Sequence, residues 1–218
     1  MIRNLPGSRP SLLLAGAAGL LGLGVWQLGG AAWIHGKAAV AQVLLERAWD
    51  ARRSGAENDA ARPWPWADTA PVARLRVPAH GIDQVVLAGA SGRTLAFGPG
   101  HLTGTAAPGY RGHSVVSGHR DTHFTFLKDL KPGDAVELER PDGRRVIYRL
   151  TGSEIVDART ARFAGGGDRS VVSLVTCYPF EALVPNGPLR YVVTAEAVER
   201  PPASGVAEAG VAEAASLE

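Results

Sequence analysis

From Leu12 to Ile34 every residue except Gln27 is apolar or glycine. Inside a bilayer a lone segment satisfies its backbone groups only as a helix. At ~1.5 Å per residue, residues 12–34 reach about 34 Å, enough to cross a hydrocarbon core of about 30 Å. The run exceeds the roughly 7–15 residues of a signal-peptide core. It therefore reads as a retained transmembrane anchor, not a leader cleaved at Ala39-Val40-Ala41. Residues 1–11 become a short cytoplasmic N-terminus with Arg3 and Arg9. Lys37, Arg47, Arg52 and Arg53 follow the span and outnumber them, so a count of flanking charge does not set the topology. The chemistry of the remaining chain argues for an extracytoplasmic domain.

Residues 35–72 read as a juxtamembrane helix and linker. Val40, Ala41, Leu44, Leu45, Ala48 and Trp49 fall on one side at helical spacing between Lys37 and Arg53. Ser54 to Pro65 is polar, then proline-rich, as a linker is. Trp64 and Trp66 fit either the membrane interface or the surface of the domain. From residue 73 to 198 the pattern changes to short β-type runs: Arg74–Val77, Asp83–Leu87, Ser114–Ser117, Ala135–Glu139, Arg145–Leu150, Ser170–Thr176 and Tyr191–Ala197. Turn residues separate them, including Ala90-Ser91-Gly92, Lys131-Pro132-Gly133-Asp134, Pro141-Asp142-Gly143 and Gly165-Gly166-Gly167. Helix is short, over Thr94–Phe97 and Phe124–Leu130. Many short strands at this spacing predict a mainly β domain closed into a barrel. Residues 199–218 are rich in Ala, Gly and Glu without aromatics, and are expected to be disordered.

The net charge is +2 and the basic residues are scattered, which argues against nucleic acid as a partner. Cys177 is the sole cysteine, so no intramolecular disulfide forms. Outside the cytosol a lone cysteine is either an intermolecular partner or a free, reactive thiol.

Three local patterns carry chemistry. Ser114-Val115-Val116-Ser117-Gly118-His119-Arg120-Asp121-Thr122 is an apolar strand that delivers a histidine at its exit. Val171-Val172-Ser173-Leu174-Val175-Thr176-Cys177-Tyr178 delivers the cysteine in the same way. Gly187-Pro188-Leu189-Arg190-Tyr191-Val192-Val193 feeds an arginine into the start of the last strand. Singly, each has a bland reading: a strand-end histidine, a small buried thiol, a solvated charge. Together they supply what acyl transfer through a thioester needs. A cation near a thiol favours the attacking thiolate. Histidine returns a proton to a leaving amine because its pKa lies near ambient pH. Arginine stays charged and holds a carbonyl or its developing oxyanion. Asp121, two residues past His119, reads as an exposed turn residue. Glu154, Asp157 and Asp168 form no convincing cluster, so no metal or other cofactor is expected.

These patterns resemble the sortase signature: a histidine after an apolar strand, a Thr-Leu-x-Thr-Cys strand end, and an arginine on the next strand. Here the second motif reads Ser173-Leu174-Val175-Thr176-Cys177, keeping a hydroxyl at its first position. The resemblance covers about residues 73–198. Gly118-His119-Arg120-Asp121-Thr122, the anchor and the Ala/Arg/Gly-rich usage look most like the sortases of Gram-negative proteobacteria, the class GN. The resemblance implies a sortase β-barrel in which Cys177, His119 and Arg190 are catalytic. Thr176 is a further candidate, for substrate binding or backbone support. It also implies a surface protein with a Leu-Pro-x-Thr-Gly-like C-terminal signal as substrate and an amine as acyl acceptor. The location implied is the inner membrane, single-pass, with the domain in the periplasm. Specificity would reside in the loops His101–Arg111 and Ala158–Arg169.

Three rivals remain. An L,D-transpeptidase would pair histidine and cysteine in one Ser-His-Gly-Cys-type motif, whereas Cys177 follows Val175-Thr176 and no histidine occurs after His123. A hydrolase on the same fold would use the same residues, with water resolving the thioester. A non-catalytic β-domain that binds proteins would tolerate loss of Cys177.

Overall fold

The computed structural model describes residues 9–57, 59–163, 167–182 and 187–198. The chain separates into two units, residues 1–43 and residues 44–218. The first is built on a helix, α1, which runs Arg9–Arg53 and continues into the second. One helix thus replaces the two segments expected from the sequence. His35-Gly36-Lys37 does not interrupt it, since a single glycine costs only about 1 kcal/mol in a helix and no proline follows Pro10 within it. Its apolar part is long enough to cross a membrane. The expected N-terminus lies largely, and the expected tail wholly, outside the described residues, as do Gly165 and Gly166 of the predicted glycine turn.

Eight strands close into a barrel in the order β1-β2-β3-β4-β7-β8-β6-β5. They are β1 Pro71–Val77, β2 Ile82–Ala88, β3 Gly100–His101, β4 Gly112–Ser117, β5 Ala135–Glu139, β6 Arg145–Asp157, β7 Ser170–Cys177 and β8 Leu189–Ala197. The β2–β3 and β4–β7 pairs are parallel, and the remaining neighbours are antiparallel. Alternation explains the interior. Ala73, Leu75 and Val77 of β1 point inward, as do Val146, Tyr148 and Leu150 of β6, and all join one core. Strand β7 is buried on both faces, which is why it reads as an almost unbroken apolar run. Its inner residues Val172 and Leu174 belong to the core, while its outer residue Val175 packs with Val115 and Val192 in a separate cluster.

Two features escaped the periodicity. β3 is only two residues long, and it reaches its neighbours because Gly100 lacks a side chain. An added Cβ there would stand 2.2 Å from the Gly89 carbonyl oxygen. The outer half of β6, Thr151 to Asp157, is polar and mostly exposed, and a register shift between Leu150 and Gly152 separates it from the inner half. Pairing with β8 holds it, not propensity.

The last turns of α1 belong to the barrel unit. Leu45 and Trp49, both 1% exposed, pack on Val85 and Leu87 of β2, with Phe97 beside them. Trp64 meets Phe97 edge-on at 4.8 Å, whereas Trp66 is exposed. The expected linker is thus part of the domain surface, and β1 starts at Pro71, two residues before the predicted boundary. An ion ladder reinforces the same side. Arg74 bridges Glu46 and Asp83, Arg76 bridges Asp83 and Glu139, and Arg53 and Arg145 each approach Glu139 at 3.3 Å. Burial pushes the Glu139 carboxyl upward, but Arg76, then Arg145 and Arg53, hold it below the usual carboxylate range.

Candidate active site

Strand register builds the site. In the parallel β4–β7 pair, Ser117 lies beside Val175, and the Gly118 N–H continues the ladder by donating to the Val175 carbonyl at 3.0 Å. Cys177 ends β7 two residues beyond Val175, and His119 lies two residues beyond Ser117, just past the end of β4. In the antiparallel β7–β8 pair, Cys177 stands directly opposite Arg190. The register thus sets Cys177 opposite Arg190 and brings the turn that bears His119 to the same end of the β4–β7 pair. His119 is exposed, while Cys177 and Arg190 are half-buried. Asp121 is exposed, and among the described residues no cluster of metal-ligating side chains occurs.

The turn bearing His119 is pinned from several sides. The Phe124 N–H donates to the His119 carbonyl at 2.9 Å. Gly118 lies flat against the Phe124 ring, so closely that an added Cβ would stand 2.8 Å from it. The Thr176 hydroxyl donates to the Gly118 carbonyl at 2.7 Å. Thr176 is 1% exposed, because alternation along β7 turns it inward when Cys177 faces out. Of the two roles open to Thr176, this contact fits backbone support: its side chain is committed to the glycine preceding His119. Thr176→Val should cost about 1–3 kcal/mol by stranding a buried carbonyl. Thr176→Ser should recover most of that loss in thermal unfolding.

Arg190 Nη1 donates to the Gly187 carbonyl at 2.6 Å and to the Leu189 carbonyl at 2.9 Å. Asp157, near it on β6, is held down to about 2, chiefly by hydrogen bonds from the Arg159 side chain and backbone, with a smaller contribution from Arg190. The face that presents Cys177 continues along β7 through Val175 to Ser173, whose Oγ lies 2.8 Å from His113 Nε2 and 3.2 Å from Thr194 Oγ1. The sequence reading passed over His113 and Arg120. Counting back from Cys177 by twos, then across the parallel neighbour, would have found His113. Arg111 Nη1 lies 3.9 Å from Asp168, linking the two loops expected to govern specificity.

Burial lowers the pKa values of His101 and His123, and the nearby His119 adds to the effect at His123. A histidine depressed in the folded state takes up its proton more readily when unfolded, so stability is lost as pH falls below about 6.5. Asp83 and Glu139 are depressed carboxyls, whose contribution is lost only as pH falls through the acid range. The unfolding temperature should be flat above about pH 7.5, decline from about 6.5, and steepen below about 4. A His101→Asn/His123→Asn pair should remove the first decline and leave the second.

A sortase domain model matches residues 75–198, more than half of the chain. The chain is 32% identical over 120 residues to sortase D of Bacillus subtilis (strain 168), covering 55% of this chain and 60% of that protein's length. Among solved structures it resembles sortase A from Corynebacterium diphtheriae, with a TM-score of 0.56 and 23% identity over 74% of this chain and 85% of that one. It also resembles a Clostridium perfringens sortase D5 transpeptidase, with a TM-score of 0.52 and 22% identity over 60% of this chain and 80% of that one. At such identities the structures speak for the fold, and the domain match supplies the family: the chain belongs to the sortases.

Proposed function

We propose that this chain is a membrane-anchored cysteine transpeptidase that cleaves a Leu-Pro-x-Thr-Gly-like sorting signal and transfers the acyl part to an amine. The observation that carries the reading is the strand register, which sets Cys177 opposite Arg190 and leads the end of β4, beside β7, into the turn bearing His119. The Cys177 thiolate attacks the carbonyl carbon of the Thr–Gly bond. The C–N bond breaks, His119 protonates the leaving glycine amine, and a thioester remains on Cys177. An incoming amine gives its proton to His119 as it attacks the thioester, forming the new amide and releasing the thiolate. Arg190 steadies the carbonyl oxygen through both steps. Its guanidinium has five donors, so bonds to Gly187 and Leu189 leave capacity for substrate.

The α1 helix supports a single-pass membrane anchor, and the proposal puts it in the inner membrane with the barrel in the periplasm. The natural partner is then a surface protein with a C-terminal signal, and the acceptor an amine on that side. Gly118 to Thr122, the anchor and the Ala/Arg/Gly-rich usage support class GN, a subclass that the relatives reported above do not carry.

The test uses the full chain in detergent micelles, a set of Leu-Pro-x-Thr-Gly-like peptides, and intact mass. A gain equal to the acyl portion, discharged by added amine and blocked by prior alkylation of Cys177, is the expected result. Discharge by water alone, with no amide product at saturating amine, would make the chain a hydrolase. An inert thiol and no adduct across the set would leave a binding domain.

A further inference from the structure

Arg120 follows His119, and its side chain bridges to a different part of the chain. Nη1 donates to the Pro179 carbonyl at 2.9 Å and Nη2 to the Ala182 carbonyl at 2.6 Å. Those two carbonyls belong to a turn, closed by the Ala182 N–H on the Pro179 oxygen at 3.3 Å, that starts two residues after Cys177. The guanidinium thus joins the exit of β4 to the exit of β7. Its location is what gives it weight. The β4–β7 ladder ends at Gly118 N–H to Val175, and the last side-chain tie within it is Thr176 to Gly118. Beyond that level, where His119 and Cys177 project, Arg120 bridges the two segments.

We infer that Arg120 is a positioning residue, holding the His119 turn and the segment after Cys177 in one arrangement and so setting the approach of imidazole to thiol. The inference rests on the roles proposed above for His119 and Cys177. Arginine suits the task because a planar fork presents two donors at fixed spacing to two carbonyls, whereas a lysine ammonium is a point charge on a flexible stem. Small misplacements of reacting groups are costly, about 100-fold for about 1 Å. A tie at the strand exits therefore affects rate far more than it affects folding.

The experiment compares wild type, Arg120→Ala, Arg120→Lys and His119→Ala, each as the full chain in detergent micelles. Iodoacetamide alkylation is followed by intact mass between about pH 5 and 10, where a thiol titrates. Since Cys177 is the sole cysteine, the mass gain reports it alone. Peptide adduct formation and thermal unfolding are recorded beside it. Arg120→Ala should move the pH midpoint of alkylation toward that of His119→Ala and slow adduct formation about 10- to 100-fold. Its unfolding temperature should stay within about 3 °C of wild type. Arg120→Lys should fall between, and it carries the comparison if the alanine variant does not fold. Midpoints and adduct rates within about twofold of wild type in the folded arginine variants would overturn the inference while leaving the His119 and Cys177 roles intact. A His119→Ala midpoint equal to wild type would instead remove the pairing on which the inference stands.

Discussion

Replacing Cys177 with alanine is expected to lower acyl transfer by at least about 10⁴-fold, the scale seen when a catalytic nucleophile is removed. The unfolding temperature should hardly move, because Cys177 is half-buried at a strand end and a substitution there costs about 0.5 kcal/mol or less. Cys177→Ser is the sharper variant. It preserves shape and register opposite Arg190 but supplies a hydroxyl that stays protonated near neutral pH. Both variants should form no peptide adduct by mass while binding peptide as before. A serine variant retaining more than about a hundredth of the wild-type rate would mean that the nucleophile lies elsewhere.

Trp49→Ala should destabilise the barrel unit by about 3–5 kcal/mol, the usual cost of truncating a buried aromatic. At about 2–4 °C per kcal/mol for a domain of this size, unfolding should fall by roughly 10 °C. Trp49 is 1% exposed and lies with Leu45 against Val85 and Leu87, so its removal opens a cavity that neighbouring strands cannot fill. Near-ultraviolet circular dichroism during heating would follow the loss. A shift of only a degree would mean that the last turns of α1 rest on the barrel without contributing to its core. The same packing predicts that a chain beginning at residue 61 is markedly less stable than one beginning before Leu45.

The barrel was legible because most of its strands obey simple alternation. β5 was placed to the residue, six of the eight strands were located to within two residues at their N-terminal ends, and β1 to within three. What escaped had no pattern to read. The two-residue β3 is defined by a backbone approach at Gly100, and the outer half of β6 by its β8 partner. The continuous α1 escaped for a different reason, since a membrane-type run and an amphipathic run are read by different rules. His119, Cys177 and Arg190 stood out by residue type, but the pairing that sets Cys177 opposite Arg190 and β4 beside β7 is one that no local window contains. Thr176 shows the limit most clearly. Alternation alone turns it to the face opposite Cys177, but its partner there, a glycine 58 positions back, comes only with the strand pairing.

The parallel pairing of β4 with β7 also has a kinetic consequence. The chain must complete the excursion from Gly118 to Arg169, including the whole β5–β6 hairpin, before these two strands can meet. Pairings that span such separations form slowly, because loop closure precedes any reward from contact. During biosynthesis the end of β7 that carries Cys177 therefore reaches the end of β4 only when the ring of strands shuts. Under the proposed function, the site is assembled by barrel closure itself, and no nascent or partly folded form holds it complete.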